Sequence, residues 1–103
     1  MYVVVLITCQ DNEEAERISE ALLKERLAAC TNIISGVRSK FWWTGKIHSS
    51  DESLMVVKTK KSLLRQLIRQ VKKIHQYENP EIIALPIIGG SKEYMKWVED
   101  ETE

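Results

Sequence analysis

The feature that most restricts the fold is a two-residue turn, Thr44-Gly45, between two long stretches with the pattern of β-strands. Residues 33–43 alternate between apolar and polar side chains, and a return strand is predicted over residues 46–59, interrupted at "HSSDES" by a bulge or a second bend. Glycine supplies the positive φ that such a turn needs. Strands of about a dozen residues exceed the common length, so the pattern predicts an antiparallel hairpin that projects beyond a small sheet.

The rest of the chain completes an alternation of strands and helices. In chain order, a strand, a helix, a second helix, a strand and a short helix are predicted over residues 2–8, 11–28, 60–76, 81–88 and 91–103. Asp11 or Asn12 is the predicted N-cap of the first helix. Pro86 cannot donate to a β-ladder, which predicts that its strand lies at an edge or carries a bulge. The order β-α-β-β-α-β plus a C-terminal helix predicts a ferredoxin-like, split-βαβ α+β fold with an antiparallel sheet.

Length and charge narrow the class of protein. A chain of 103 residues predicts a single domain over residues 1–103. Fifteen basic and fifteen acidic residues cancel, which disfavours nucleic-acid binding. The predicted third strand, "SLMVVKT", also lacks the aromatic residues of an RNA-recognition motif. No apolar stretch reaches about 18 residues, so no membrane span is predicted. Two isolated cysteines and the lack of a leader favour a cytoplasmic protein.

One face of the predicted sheet lacks a covering layer. The first strand, "YVVVLIT", is continuously apolar, which predicts burial on both of its faces, and "IIALPII" has the same character. The two main helices of this fold cover one face only. The other face would be a larger apolar patch than a monomer normally exposes. Either the C-terminal helix covers part of this face or other subunits do. The long hairpin, with its aromatic residues near the turn, favours the second, so we expect an obligate homo-oligomer packed through the open sheet faces and the projecting hairpins.

Candidate metal ligands are few and widely spaced. His75, Cys9 and Cys30 are soft or borderline ligands that suit copper or zinc. They lack the spacing of a closed site, so a subunit boundary would have to supply further ligands. A structural interpretation stays open: His75 ends a helix and donates to its last carbonyls, and the cysteines are buried and inert. No nucleophile motif or phosphate-binding loop is present, and no enzyme activity is predicted.

A second set of candidates consists of polar residues at strand ends and in one loop. They comprise Lys46, Glu52, Lys58, Tyr77 and Glu81, together with the aromatic Trp43, and they predict a small-molecule site between subunits. Charges at strand ends lie near the loops where binding sites are commonly built. The alternative is that these side chains are solvated or form weak surface ion pairs.

Five motifs carry a family resemblance. "KERLAACTNI", "FWWTGKI", "VVKT", "IHQYENPEIIALPI" and "EYMKW" resemble the CutA divalent-cation-tolerance family, in the same order and from about Val3 to Trp97. The resemblance implies a cytoplasmic homotrimer of ferredoxin-like subunits that exchange long hairpins, and a kinship of architecture with PII signalling proteins. It also implies copper-type metal binding in some members and no established catalytic activity.

The resemblance further implies site residues. The recurring positions of the family fall on Cys30, Trp43, Gly45, Lys46, Glu52, Lys58, His75, Tyr77, Glu81 and Trp97. The copper-ligating histidine falls on His75, whereas the matching cysteine position holds Ile7, with Cys9 two residues on. We therefore expect a trimeric, non-enzymatic protein of divalent-cation tolerance that binds copper or another divalent cation. The alternative is a PII-like regulatory module that binds a small anionic or amphipathic ligand in clefts between subunits.

Overall fold

The computed structural model describes all 103 residues. Its strands and helices are β1 (Tyr2–Cys9), α1 (Asn12–Lys24), β2 (Cys30–Trp43), β3 (Lys46–Lys60), α2 (Leu64–Ile74), β4 (Ile82–Pro86) and α3 (Lys92–Glu101), with a short 3₁₀ turn before α2. The four strands form one antiparallel sheet in the order β2-β3-β1-β4. This confirms the predicted ferredoxin-like α+β fold and the edge position of the strand that contains Pro86.

The core lies between the sheet and the helices α1 and α2. Alternate residues of β1 and β3 face the helices, whose apolar stripes close over them; the largest buried members are Val5, Ile7, Ile18, Leu22, Met55, Val57, Leu67 and Val71. Burying such a side chain fully contributes about 1.5–3 kcal/mol. Oδ1 of Asp11 accepts a hydrogen bond from the Glu14 amide at 2.9 Å, which confirms Asp11 as the N-cap.

The other face of the sheet is only partly covered. The remaining residues of β1 are partly exposed, so the prediction that this strand is buried on both faces is wrong for the single chain. Ile83 and Leu85 of β4 are 50% and 49% exposed. α3 meets one end of this face, where Glu99 accepts hydrogen bonds from the Tyr2 hydroxyl at 2.8 Å and the Lys60 ammonium at 3.2 Å. Two helices can cover one face of a four-stranded sheet, so the second face stays open.

The hairpin formed by β2 and β3 extends well past the other strands. β1 pairs with residues 53–60 of β3, which leaves the part of β3 nearest the turn paired with β2 alone. The molecule is accordingly elongated, with a longest extent of 45 Å. Thr44 and Gly45 have φ values of 53° and 77°, which confirms the predicted two-residue turn.

The bulge lies in a different strand from the one predicted. Residues 48–52 of "HSSDES" pair continuously with β2, and Ser53 pairs with Cys9 of β1; the extra residue lies in β2, between the pairs Ile34↔Leu54 and Val37↔Glu52. Gly36 occupies the extra position with a φ of 71°, a left-handed conformation that glycine adopts without steric cost. The expected bulge in the return strand is therefore wrong.

The helix and the strand on either side of the junction between α2 and β4 are both shorter than predicted. α2 ends at Ile74 rather than residue 76, and β4 covers Ile82–Pro86 rather than residues 81–88. His75 leaves the helical conformation with φ −76° and ψ 141°, while its amide still donates to the Val71 carbonyl at 2.9 Å. The junction thus forms a loop that crosses the end of β1.

Candidate functional site

Three potential ligand side chains meet where β1, α1 and α2 approach one another. Cys9 ends β1, Glu14 lies in the first turn of α1, and His75 directly follows α2. One ligand atom from each lies within 4.8 Å of the others, and this group is called the Cys9–Glu14–His75 cluster below. The side chains of Glu14 and His75 have no exposed surface, and Cys9 is fully buried.

The hydrogen bonds of His75 define its tautomer. Nε2 lies 2.7 Å from the Thr8 carbonyl, which can only accept, so Nε2 carries the proton. Nδ1 accepts a hydrogen bond from the Tyr77 amide at 3.0 Å and lies 3.5 Å from Oε2 of Glu14. The ring therefore binds β1 and its own loop, and the prediction that it donates to the last carbonyls of α2 is wrong.

Glu14 is a buried carboxylate held by the backbone. Oε1 accepts from the Gln10 amide at 2.9 Å, and Oε2 accepts from the Gln76 amide at 2.6 Å. Nearby, Glu52 is 7% exposed and its Oε2 accepts from the Tyr77 hydroxyl at 2.6 Å. Neither carboxylate forms an ion pair with Lys or Arg. Buried charge is normally paired or coordinates a metal, so this end of the sheet favours a cation.

Cys9 carries a protonated thiol at neutral pH. Burial first, and then the negative charges of Glu14 and Glu52, raise the pKa of the Cys9 thiol to about 12. A thiol with so high a pKa is a weak nucleophile, since the thiolate is the reactive form. It becomes a ligand only where a metal ion displaces its proton.

Cys30 lies away from the cluster. It pairs with Lys58 across β2 and β3, and burial together with a hydrogen bond to Cys30 raises the pKa of Tyr94 in α3. Both cysteines are unpaired. The structure thus brings together two of the three predicted metal ligands, Cys9 and His75, and separates the third.

A cleft of about 880 Å³ runs along the hairpin from its base toward the turn, next to the cluster. Four of the predicted ligand-site residues line it, namely Trp43, Glu52, Tyr77 and Glu81. Burial, followed by the hydrogen bond to Glu52, raises the pKa of the Tyr77 hydroxyl. We call this feature the hairpin cleft.

The two predicted lysines lie outside the hairpin cleft. Lys46 opposes Trp43 next to the turn, and Lys58 bonds to the side chain of Asn32 on the open sheet face. Lys40 is the lysine that lines the cleft, alongside the carboxylates of Glu52, Glu78 and Glu81. The lining is therefore predominantly acidic.

Glu14 is the cluster residue that the sequence analysis missed. Positions 14, 18 and 22 follow a helical period of four, so Glu14 shares the core-facing stripe with Ile18 and Leu22. An acidic residue in a core stripe is the signal that could have identified it. The separation of three residues between Asp11 and Glu14 also fits the capping-box pattern, in which the N3 carboxylate turns back to the backbone.

The sheet order, the open face and the long hairpin define a ferredoxin-like α+β protein with an extended β2-β3 hairpin. The sequence profile of the family described as "CutA1 divalent ion tolerance protein" matches residues 3–101. The chain belongs to this family, as its motifs indicated. None of its helices is long and apolar enough to cross a membrane.

Individual relatives agree with this assignment. A "Divalent-cation tolerance protein CutA" of Thermus thermophilus is 44% identical over 99 residues, which are 96% of each chain. The solved structure of CutA1 from that organism covers both chains completely with a TM-score of 0.98. A protein of rice, "Protein CutA 1, chloroplastic", is 42% identical over 100 residues, 97% of this chain and 56% of its own length. The chain thus spans about half the length of the plant relative and nearly all of the bacterial one.

Proposed function

We propose that this chain is a subunit of a homotrimeric, non-enzymatic protein of divalent-cation tolerance that binds copper or another divalent cation at the Cys9–Glu14–His75 cluster. The names of its relatives support the tolerance function. The observation that carries the metal site is the gathering of a thiol, a carboxylate and an imidazole within 4.8 Å. Donors of this kind suit zinc and copper.

The chemistry of the cluster fits a cation. The Nε2–H of His75 donates to the Thr8 carbonyl at 2.7 Å, an outer contact that metal-bound histidines commonly make. This leaves the lone pair on Nδ1, the nitrogen 3.5 Å from Glu14. Cys9 would release its proton on binding, so affinity should fall as the pH falls. The residues that would hold the ion are therefore His75, Glu14 and Cys9.

The trimer and the cellular location belong to the same proposal. The partly exposed apolar face that includes Ile83 and Leu85, and the exposed aromatic side chains of the hairpin, support association through the surfaces named from the sequence. The two unpaired cysteines support a reducing, cytoplasmic compartment. The names of relatives differ on location, since the rice protein is called chloroplastic and a structure from Archaeoglobus fulgidus is titled periplasmic.

The alternative, a PII-like module for a small anionic or amphipathic ligand in clefts between subunits, gains less support. It required Lys46 and Lys58 beside Tyr77 and Glu81, and both lysines lie outside the hairpin cleft. The carboxylates that line the cleft would repel an anion.

Calorimetric titration with Zn²⁺, and with Cu⁺ in anaerobic buffer, tests the metal site. We expect His75→Ala and Cys9→Ser to weaken binding at least about tenfold, because each removes one ligand. His48→Ala and Cys30→Ser are matched controls, since these residues carry the same donor groups outside the cluster. Equal affinities for wild type and His75→Ala would show that the cation does not bind at the cluster.

A further inference from the structure

Tyr77 contacts the Cys9–Glu14–His75 cluster and also lines the hairpin cleft. Its amide donates to Nδ1 of His75 at 3.0 Å, and its hydroxyl donates to Oε2 of Glu52 at 2.6 Å. The rings of His75 and Tyr77 lie 5.0 Å apart. Glu52 stands opposite Val37, the first pair beyond the bulge, where the hairpin leaves the sheet. A continuous set of contacts therefore runs from the cluster to the base of the hairpin.

We propose that Tyr77 couples cation binding at the Cys9–Glu14–His75 cluster to the hairpin cleft. This inference rests on the proposed cation site. Nδ1 of His75 has one lone pair, which the Tyr77 amide occupies in this structure. A cation that binds Nδ1 must displace that amide. Binding thus breaks the contact that holds Tyr77 against the cluster.

The neighbouring amide, that of Gln76, should respond differently to a bound cation, so the two amides can be compared within one protein. The Gln76 amide donates to Oε2 of Glu14 at 2.6 Å. A carboxylate oxygen has two lone pairs, so it can coordinate a cation and still accept this hydrogen bond. Cation binding should therefore release the Tyr77 amide and keep the Gln76 amide. The loop then turns about Gln76, and this moves the Tyr77 hydroxyl relative to Glu52.

The movement reaches the hairpin cleft because Tyr77 forms part of its wall. Glu52, Tyr77 and Trp43 all line the cleft. The Tyr77–Glu52 hydrogen bond joins the loop after α2 to β3, so a shift of Tyr77 changes both the position of Glu52 and the space beside Trp43. Cation binding at the cluster would then change the shape of the hairpin cleft, where a ligand or a neighbouring subunit can bind.

Amide exchange followed by NMR, with and without saturating Zn²⁺, tests the release step. The Tyr77 amide should exchange at least about tenfold faster in the Zn²⁺-bound protein, while the Gln76 amide stays protected. Zn²⁺ is the probe because it has no redox chemistry and tolerates a range of coordination geometries. If Zn²⁺ binds and the Tyr77 amide stays protected, the coupling is overturned while the cation site stands. If calorimetry detects binding of neither Zn²⁺ nor Cu⁺, the cation site and the coupling both fail.

Tyr77→Phe tests the transmission step. The variant keeps the amide and the ring but lacks the hydroxyl that reaches Glu52. On Zn²⁺ binding we expect the Trp43 indole resonance to change in wild type and to stay unchanged in Tyr77→Phe. Glu52→Gln, which weakens the same hydrogen bond by removing the charge, should reduce the change as well and serves if Tyr77→Phe does not fold. Tyr94→Phe, in α3, is the matched control and should keep the wild-type response. A Trp43 response that persists in both Tyr77→Phe and Glu52→Gln overturns the coupling.

Discussion

The burial of Cys9 makes the stability of the folded state depend on pH. Its thiol has a folded-state pKa of about 12, raised from 9.0 by burial and then by Glu14. The folded state holds this proton more tightly than the unfolded state does. The stabilisation is therefore complete below about pH 9 and is lost as the pH rises toward 12.

A denaturation series in the presence of a chelator measures this effect. Between about pH 8 and about pH 10, wild type should lose roughly 1 kcal/mol more of its free energy of unfolding than Cys9→Ala does. Cys30→Ala is the control and should follow wild type. Parallel curves for wild type and Cys9→Ala would show that the thiol is not held protonated by the fold.

At the level of single residues, sequence identifies donor types better than it identifies their partners. Cys9 and His75 could be named from the chemistry of their side chains alone. Glu14 could not be separated by composition from Glu13 and Glu16, which lie close to it in the same acidic turn. Its role depends on the Gln10 and Gln76 amides, and the second of these comes from a loop 62 residues away in sequence.

At the level of elements, the bulge in β2 determines which way the hairpin residues face. It inserts one residue between the pairs at Ile34 and Val37, so the side chains of β2 beyond it change parity relative to the strand before it. This allows Val37 to stand opposite Glu52 at the base of the hairpin. The bulge therefore sets the orientation of the β2 side chains that face the part of β3 containing Glu52.

Gly36→Ala tests the contribution of this bulge. Gly36 has a φ of 71°, and an added Cβ would meet no atom within 4 Å, so the cost is backbone strain rather than a clash. We expect a loss of about 1 kcal/mol in the free energy of unfolding, measured by denaturant titration. Gly89→Ala is the matched control, because Gly89 also has open space but lacks a positive φ. Equal stability of the two variants would contradict this account.

Most elements could be predicted from sequence because each depends on a local period. The helical stripe of α1, the edge position of β4 and the Thr44-Gly45 turn follow from side-chain spacing and from the φ preferences of Gly and Pro. The location of the bulge did not follow. Both Ser35-Gly36 and "HSSDES" contain residues that tolerate a break in regular strand pairing. Which of the two segments carries the bulge depends on cross-strand register. Register is set by long-range pairing that a local pattern does not contain.

At the scale of the whole molecule, the chain has one well-covered sheet face and one open face. The covered face carries the core beneath α1 and α2, while the open face exposes Ile83, Leu85 and Ile34 and is met by α3 at one end. The continuous apolar character of "YVVVLIT" is explained if its second face is buried by other subunits. In the single chain only one face of β1 is buried. Packing of other subunits against the open face would bury the second face as well.

Sedimentation at micromolar concentration tests that association. We expect wild type to sediment as a trimer and Ile83→Lys to shift toward the monomer, because burying a lysine in an apolar interface without a partner costs several kcal/mol. Leu23→Lys is the matched control: Leu23 is 39% exposed on α1, in the helical layer away from the open face, and its variant should remain trimeric. Circular dichroism should show that both variants are folded. A wild-type protein found only as a monomer, or an Ile83→Lys variant that stays trimeric, would contradict packing through the open sheet face.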